Sequence, residues 1–209
     1  MIRDFSSFII SAPAILFCVT IHEYAHAFAA YKLGDPTAKN LGRLSLNPFV
    51  HLDIIGTIAL FLFRVGWARP VPINPVYFRS PKRDVLVSSL AGPLANFLCA
   101  IGFGVCLRIL LRFSLPSSFL VLTFLMFFYY NIILGTFNLI PIPPLDGSKI
   151  IYYLLGERNL RYYLYLEQYG LFILFGLIML SSLSGFSIFS ILIEPVIKLF
   201  SKIFIGVIL

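Results

Sequence analysis

From Ser117 to Phe137 the chain runs without a single charged residue, and that stretch limits what the rest can fold into. About 20 consecutive apolar residues are what an α-helix needs to cross the hydrocarbon core of a bilayer. Three further apolar runs, Phe8–Tyr31, Val85–Leu111 and Tyr169–Ile193, are of similar length. The totals agree: 59% of the 209 residues are apolar, only 12% are charged, and mean hydropathy is +0.94. A water-soluble domain needs more charge than this, whereas lipid-facing positions need none. The sequence predicts one membrane-embedded domain over 1–209, an all-α polytopic membrane protein with about four transmembrane helices. Its core is 8–150, and 151–209 supplies an interfacial helix, the last transmembrane helix and a tail.

Between the first two long runs the pattern changes. Leu33-Gly34-Asp35-Pro36 stops the first helix, and Pro13 either kinks that helix or marks its true start. Gly42-Arg43-Leu44-Ser45-Leu46-Asn47-Pro48 alternates briefly and ends in a turn, which suits a short β-strand. Ile54–Phe63 is apolar but too short to cross, so it reads as a re-entrant or interfacial segment. Gly66–Pro75 is proline-rich and extended. Ser148–Gln168 mixes charges with tyrosines and leucines and reads as an interfacial helix, and the tail from Glu194 as a surface segment.

The net charge of +7 does not point to nucleic acid, because the basic residues come in small groups between apolar runs. Positive-inside loops against anionic lipid account for them. If Ile54–Phe63 does not cross, the stretches 32–83 and 148–168 share one side and carry eleven of the sixteen Lys and Arg residues. Arg3, Arg108, Arg112, Lys198 and Lys202 fall on the other. That bias places the 32–83 loop in the cytoplasm and both termini outside. Cys18, Cys99 and Cys106 lie in apolar runs without Cys-x-x-Cys spacing and suit small core or lipid-facing positions. Arg3 is followed by Asp4, so no removable leader is expected.

Inside the first run lies His22-Glu23-Tyr24-Ala25-His26. Two imidazoles four residues apart project from one helix face and can hold one zinc ion, with the glutamate placed to handle the proton of an activated water. His22 falls about 21 Å along the helix from Phe8 at 1.5 Å per residue, some two-thirds of the way across the bilayer. Ionisable side chains at such depth are expensive and usually functional. A third protein ligand is needed. His51, Asp53, Asp84 and Asp146 are the candidates, and spacing favours Asp146. It follows the third span where three prolines in Asn138-Leu139-Ile140-Pro141-Ile142-Pro143-Pro144-Leu145-Asp146-Gly147 break the helix.

Taken in order, the His-Glu-x-x-His pentapeptide, Gly34-Asp35-Pro36-Thr37-Ala38, Gly42–Pro48, Gly66-Trp67-Ala68-Arg69-Pro70-Val71-Pro72, Ala91-Gly92-Pro93-Leu94-Ala95-Asn96 and Asn138–Gly147 cover most of 8–150. In this the chain resembles the site-2 protease family of intramembrane zinc metalloproteases, in particular the small prokaryotic type without PDZ or CBS domains. The resemblance implies that His22, His26 and Asp146 ligate one Zn(2+) per chain and that Glu23 is the general base and later the acid. It implies that Asn138 contacts substrate near the metal. Asn96 is similarly placed near the site, or else bonds neighbouring helices. It also implies a transmembrane protein substrate, a prokaryotic cell membrane location and an active site toward the cytoplasmic side, with room for a homo-oligomer or a regulatory membrane partner. An unwound substrate is expected to pair with the edge at Leu44, Ser45 and Leu46.

Three rivals remain at this level. A metalloprotease working at the membrane surface would want a downstream glutamate ligand, Glu157 or Glu167. A metal transporter usually carries paired ligands on several spans, and only one span carries them here. A catalytically silent substrate-binding relative would lack a key residue, and none is missing.

Overall fold

The computed structural model describes residues 5–63, 66–113, 118–155, 160–184 and 187–207. Arg3, Arg64, Glu157 and Arg158, which enter the sequence reading above, lie outside the described residues. The chain forms two compact units, 1–95 and 96–209. Within the described residues both are helical, and neither contains a sheet.

In the first unit, α1 (Phe5–Lys32) runs unbroken past Pro13, so the proline lies inside the helix and does not mark its start. The helix ends where the sequence says it should. Gly34 adopts φ +108, Gly34 N–H donates to the Tyr31 carbonyl, and Asp35 N–H reaches back to Ala30 at 2.9 Å. This is a Schellman termination, which needs a left-handed residue that glycine supplies without strain. The one-turn α2 (Thr37–Asn40) follows directly, and Ala27, Ala38 and Val71 form a small core with Leu44 against it.

The strand expected over Gly42–Pro48 does not form. Ser45 Oγ accepts from Asn47 N–H, Asn47 Oδ1 accepts from Phe49 N–H, and the Ser45 carbonyl accepts from His51 Nε2 at 2.8 Å. These local bonds take up groups a ladder would use. The extended pairing in this unit is one isolated bridge, Leu52 with Ala68. α3 (Ile54–Phe63) spans the stretch read as re-entrant. At 1.5 Å per residue its ten residues reach about 15 Å, half a hydrocarbon core. The extended segment 66–74 then leads through a single 3-10 turn, Pro75–Tyr77, into α4 (Pro81–Arg112).

In the second unit, the latter part of α4 packs with α5 (Ser118–Asn138) and α8 (Ile188–Phe200). Ala100, Leu107, Phe128, Ile132, Ile197 and Ile205 are its core. Gly104 permits the close approach: a Cβ there would stand 2.9 Å from Phe204 Cβ and 3.0 Å from the Phe128 ring. The tail turns one face to this core, with Ile197, Ser201 and Ile205 buried, while Leu199 and Ile203 are exposed. The expected interfacial helix and last span are also divided differently. α6 (Ser148–Leu154) is only two turns, α7 (Leu160–Ser184) starts well before Tyr169, and Ser187 caps a separate α8 by accepting from Ser190 N–H. The charges of 160–168 thus sit on the first turns of a long helix. Hydropathy averaged over this region does not reveal the break.

Among the described residues three helices are long and apolar enough to cross a membrane: Pro81–Arg112, Phe119–Asn138 and Arg161–Leu183. The other expected crossing, α1, is a helix of 28 residues and is not among those three.

Candidate metal centre

α1 brings His22, Glu23 and His26 together because i and i+4 share a helix face. All three side chains are buried. The two Nε2 atoms lie 3.0 Å apart, near the roughly 3.3 Å that separates two nitrogens on one tetrahedral zinc with bonds of about 2.0–2.1 Å. Ring nitrogens this close share either a proton or a metal ion.

The neighbouring helix fixes which nitrogen is which. His26 Nδ1 lies 2.8 Å from the Ser88 carbonyl on α4. A carbonyl can only accept, so Nδ1 carries the proton and the neutral ring presents its Nε2 lone pair toward His22. Gly92, one turn further along α4, lies directly over the pair. A Cβ at that position would come within 2.4 Å of His26 Nε2 and 2.8 Å of His22 Cε1. The space beside the two nitrogens exists because residue 92 has no side chain. Donor type, tautomer and this cradle all suit zinc.

Glu23 is pinned from a different direction. Its Oε2 accepts from Val71 N–H at 2.9 Å, in the extended segment that follows α3. Pro70 and Pro72 flank Val71 and have no N–H, so Val71 is the sole main-chain donor of that triplet. Around it, Arg43 Nη2 donates to the carbonyls of Arg69 and Pro70, Arg69 N–H donates to the His51 carbonyl at 2.8 Å, and Asp35 Oδ2 accepts from Asn74 N–H at 2.7 Å. Burial lowers the Arg43 pKa, the nearby Arg69 charge lowers it further, and Glu23 counteracts both.

The alternative third ligands in this unit have other work. Asp53 Oδ1 accepts from Gly56 N–H at 2.7 Å at the start of α3, and Asp84 Oδ2 accepts from Ser80 N–H at 3.0 Å at the start of α4. Asp53 is the N-cap of α3, and Asp84 reaches back from the first turn of α4 to the backbone before it. His51 uses Nε2 on Ser45 and so fastens its own loop. Leu44 packs inward and Leu46 is exposed.

In the second unit, Asp146 sits in the turn between α5 and α6. Gly147 N–H closes that turn on the Asn138 carbonyl at 2.7 Å, and Lys149 N–H bonds the Asp146 carbonyl at 3.0 Å. Gly147 is required there, since a Cβ would lie 2.2 Å from the Leu139 carbonyl oxygen. Asn138 turns its Nδ2 back to Leu134 O at 3.0 Å. Asn96 is buried and donates to Asn131 Oδ1 at 2.9 Å, which is the helix-bonding role of the two that the sequence left open. Glu167, the ligand a surface metalloprotease would need, is half exposed and lies 3.5 Å from Lys149 Nζ.

Sequence reasoning gave no role to Ser88, Gly92, Val71 or Arg43. Ser88 and Val71 act through backbone atoms, which leave no signature in side-chain type. Gly92 stands within a quoted motif, and its meaning depends on the helix facing it.

A buried histidine pair of set tautomer, with a pinned carboxylate beside it on an apolar helix, is the arrangement that a metallohydrolase centre in a membrane protein needs. The comparisons with known proteins agree. The model of peptidase family M50 matches residues 114–183. Relatives named as putative zinc metalloproteases include YwhC of Bacillus subtilis, 39% identical over 194 residues and 88% of each chain. Rip2 of Mycolicibacterium smegmatis is 27% identical over 85% of this chain and 69% of its own. A protein of Methanocaldococcus jannaschii is 30% identical over 69% of this chain and 70% of its own. No solved structure matches. The chain belongs to peptidase family M50, the site-2 proteases, and is an intramembrane zinc metalloprotease.

Proposed function

We propose that His22, His26 and Asp146 hold one zinc ion per chain and that Glu23 is the general base for hydrolysis of peptide bonds in or near transmembrane segments of other membrane proteins. The observation that carries this reading is the hydrogen bond from His26 Nδ1 to Ser88 O at 2.8 Å, because it leaves Nε2 as a ligand atom. For Asp146, support comes from its place in the turn that follows α5, where Gly147 N–H closes on the Asn138 carbonyl, and from the engagement of Asp53 and Asp84 at helix starts. Bound there, zinc supplies a Lewis acid for the scissile carbonyl and lowers the pKa of water toward neutrality. Glu23 takes the water proton and returns it to the leaving amine. With Oε2 held by Val71 N–H, that proton transfer falls to Oε1.

A peptide bond inside a transmembrane helix is shielded by its own hydrogen bonds, so the substrate unwinds locally before cleavage. Asn138, Leu44, Ser45 and Leu46 are the proposed substrate-contact residues, Asn96 being taken up by its bond to Asn131. Of these, Leu46 is the most available, with 58% of its surface exposed. The bias of Lys and Arg supports a centre toward the cytoplasm, and the relatives in Bacillus subtilis and Methanocaldococcus jannaschii support a prokaryotic cell membrane. Besides the substrate and the lipid, a second copy or a regulatory membrane protein is the expected partner.

Cleavage of a tagged model transmembrane substrate by purified wild-type protein, and by Asp146→Asn, tests this. The expected result is cleavage that stops with zinc removal and returns with zinc, and zinc bound at least tenfold more weakly by Asp146→Asn. Unchanged zinc affinity in that variant would remove Asp146 from the ligand set.

A further inference from the structure

We infer that Arg43 is a positioning residue for the general base, acting on Glu23 through the extended segment Arg69–Val71; this rests on the reading of Glu23 as that base. A glutamate has three side-chain torsions, and a carboxylate displaced by about 1 Å can cost on the order of a hundredfold in rate. Here one oxygen is fixed by Val71 N–H at 2.9 Å. That donor belongs to no helix or sheet, and prolines on both sides leave the triplet without other main-chain donors. Its position depends on what holds the segment.

Arg43 is the side chain that does so at the critical place. It is buried, and its Nη2 bridges the carbonyls of Arg69 and Pro70, the two residues immediately before Val71. Two further ties bracket the same stretch: Arg69 N–H to the His51 carbonyl, 2.8 Å, and Asn74 N–H to Asp35 Oδ2, 2.7 Å. Burying a guanidinium is expensive unless it is well used. Closing the loop alone would need only neutral donors. The cation gains a second benefit here, since it also lies within the field of Glu23. Arg43 donates to the carbonyls of Arg69 and Pro70 and not to the histidines or to Glu23, so its effect on catalysis passes through Val71.

A double-mutant cycle on the full-length protein in detergent reads this directly. The variants are Arg43→Met, which keeps much of the stem and removes every donor, Val71→Pro, which removes the N–H, and the two combined. Zinc content, kcat and KM are measured on the tagged model substrate. Expected are zinc content unchanged, KM within about twofold, and kcat lowered about 10- to 100-fold in each single variant. The double variant is expected to be no worse than the weaker single variant by more than about threefold. Losses that multiply, a loss confined to KM, or wild-type kcat in Arg43→Met would overturn the role. Should Arg43→Met fail to fold, the cycle is run with Arg43→Lys, and loss of zinc or of the folded protein there too would assign Arg43 to the fold and overturn it. Glu23→Gln measured alongside separates the two readings. Cleavage surviving in Glu23→Gln overturns the general-base reading, whereas cleavage lost there with kcat untouched in Arg43→Met overturns only the role of Arg43.

Discussion

The Ser88 carbonyl on α4 accepts a hydrogen bond from His26 Nδ1 on α1 across 2.8 Å, and so the backbone of one helix sets which ring nitrogen on another carries the proton. A histidine with its second nitrogen thus engaged is held in one tautomer and one ring orientation. The same stretch of α4 brings Gly92 over the pair. The face proposed to bind the metal is therefore built by two helices, although the motif is carried by one.

Gly92→Ala follows from that geometry. A methyl group 2.4 Å from His26 Nε2 cannot be accommodated without rotating the ring away from Ser88. Zinc affinity is expected to fall at least tenfold and cleavage with it. Metal analysis of the purified variant checks this, and a normal zinc content would show that α4 does not pack on the pair as described.

Gly147→Ala examines the other unit. Its Cβ would lie 2.2 Å from Leu139 O and 2.7 Å from Ile140 O, both backbone atoms that cannot yield cheaply. The turn carrying Asp146 must open, at a cost of about 3 kcal/mol or more. The expected signature is a lower unfolding temperature in detergent together with weakened zinc binding.

Asp35→Ala removes the acceptor for Thr37 N–H, Thr37 Oγ and Asn74 N–H. Those donors would be left unpaired or exposed to water, a loss of about 2–4 kcal/mol. Limited proteolysis should then cut within 66–78 sooner than in the wild type. Equal protection would mean that Asn74 does not depend on Asp35.

Asn96→Ala leaves the Asn131 carboxamide, also bonded to Phe127 O at 2.8 Å, short of its inter-helix partner. A stability loss of about 1–3 kcal/mol is expected, with zinc content unchanged. Loss of zinc instead would bring Asn96 into the metal site.

How much of this could be read beforehand depends on which interactions leave a trace in residue type. The extents of α1, α3, α4 and α5 and the stop at Gly34 follow from apolar runs and from glycine or proline, and the sequence shows them directly. The histidine pair was legible because a four-residue spacing has one meaning on a helix. The strand at Gly42–Pro48 misled, since alternation signals a strand only where a partner edge exists, and here Ser45 and Asn47 spend their groups locally. The end of α7 was legible in residue type and missed by hydropathy, since residues 181–187 read Ser-Ser-Leu-Ser-Gly-Phe-Ser and Ser187 caps α8. The partners of Glu23 and His26 are main-chain atoms of Val71 and Ser88, 48 and 62 residues away in sequence. Such contacts emerge only from the fold.

The central claim is that Glu23 moves protons beside zinc held by the histidine pair, and Glu23→Gln tests it most directly. The substitution keeps the shape and can still accept from Val71 N–H, but cannot take up the water proton. Zinc content equal to wild type with cleavage of the model transmembrane substrate reduced at least a thousandfold is the predicted result. Cleavage within tenfold of wild type, with zinc retained, would contradict the account.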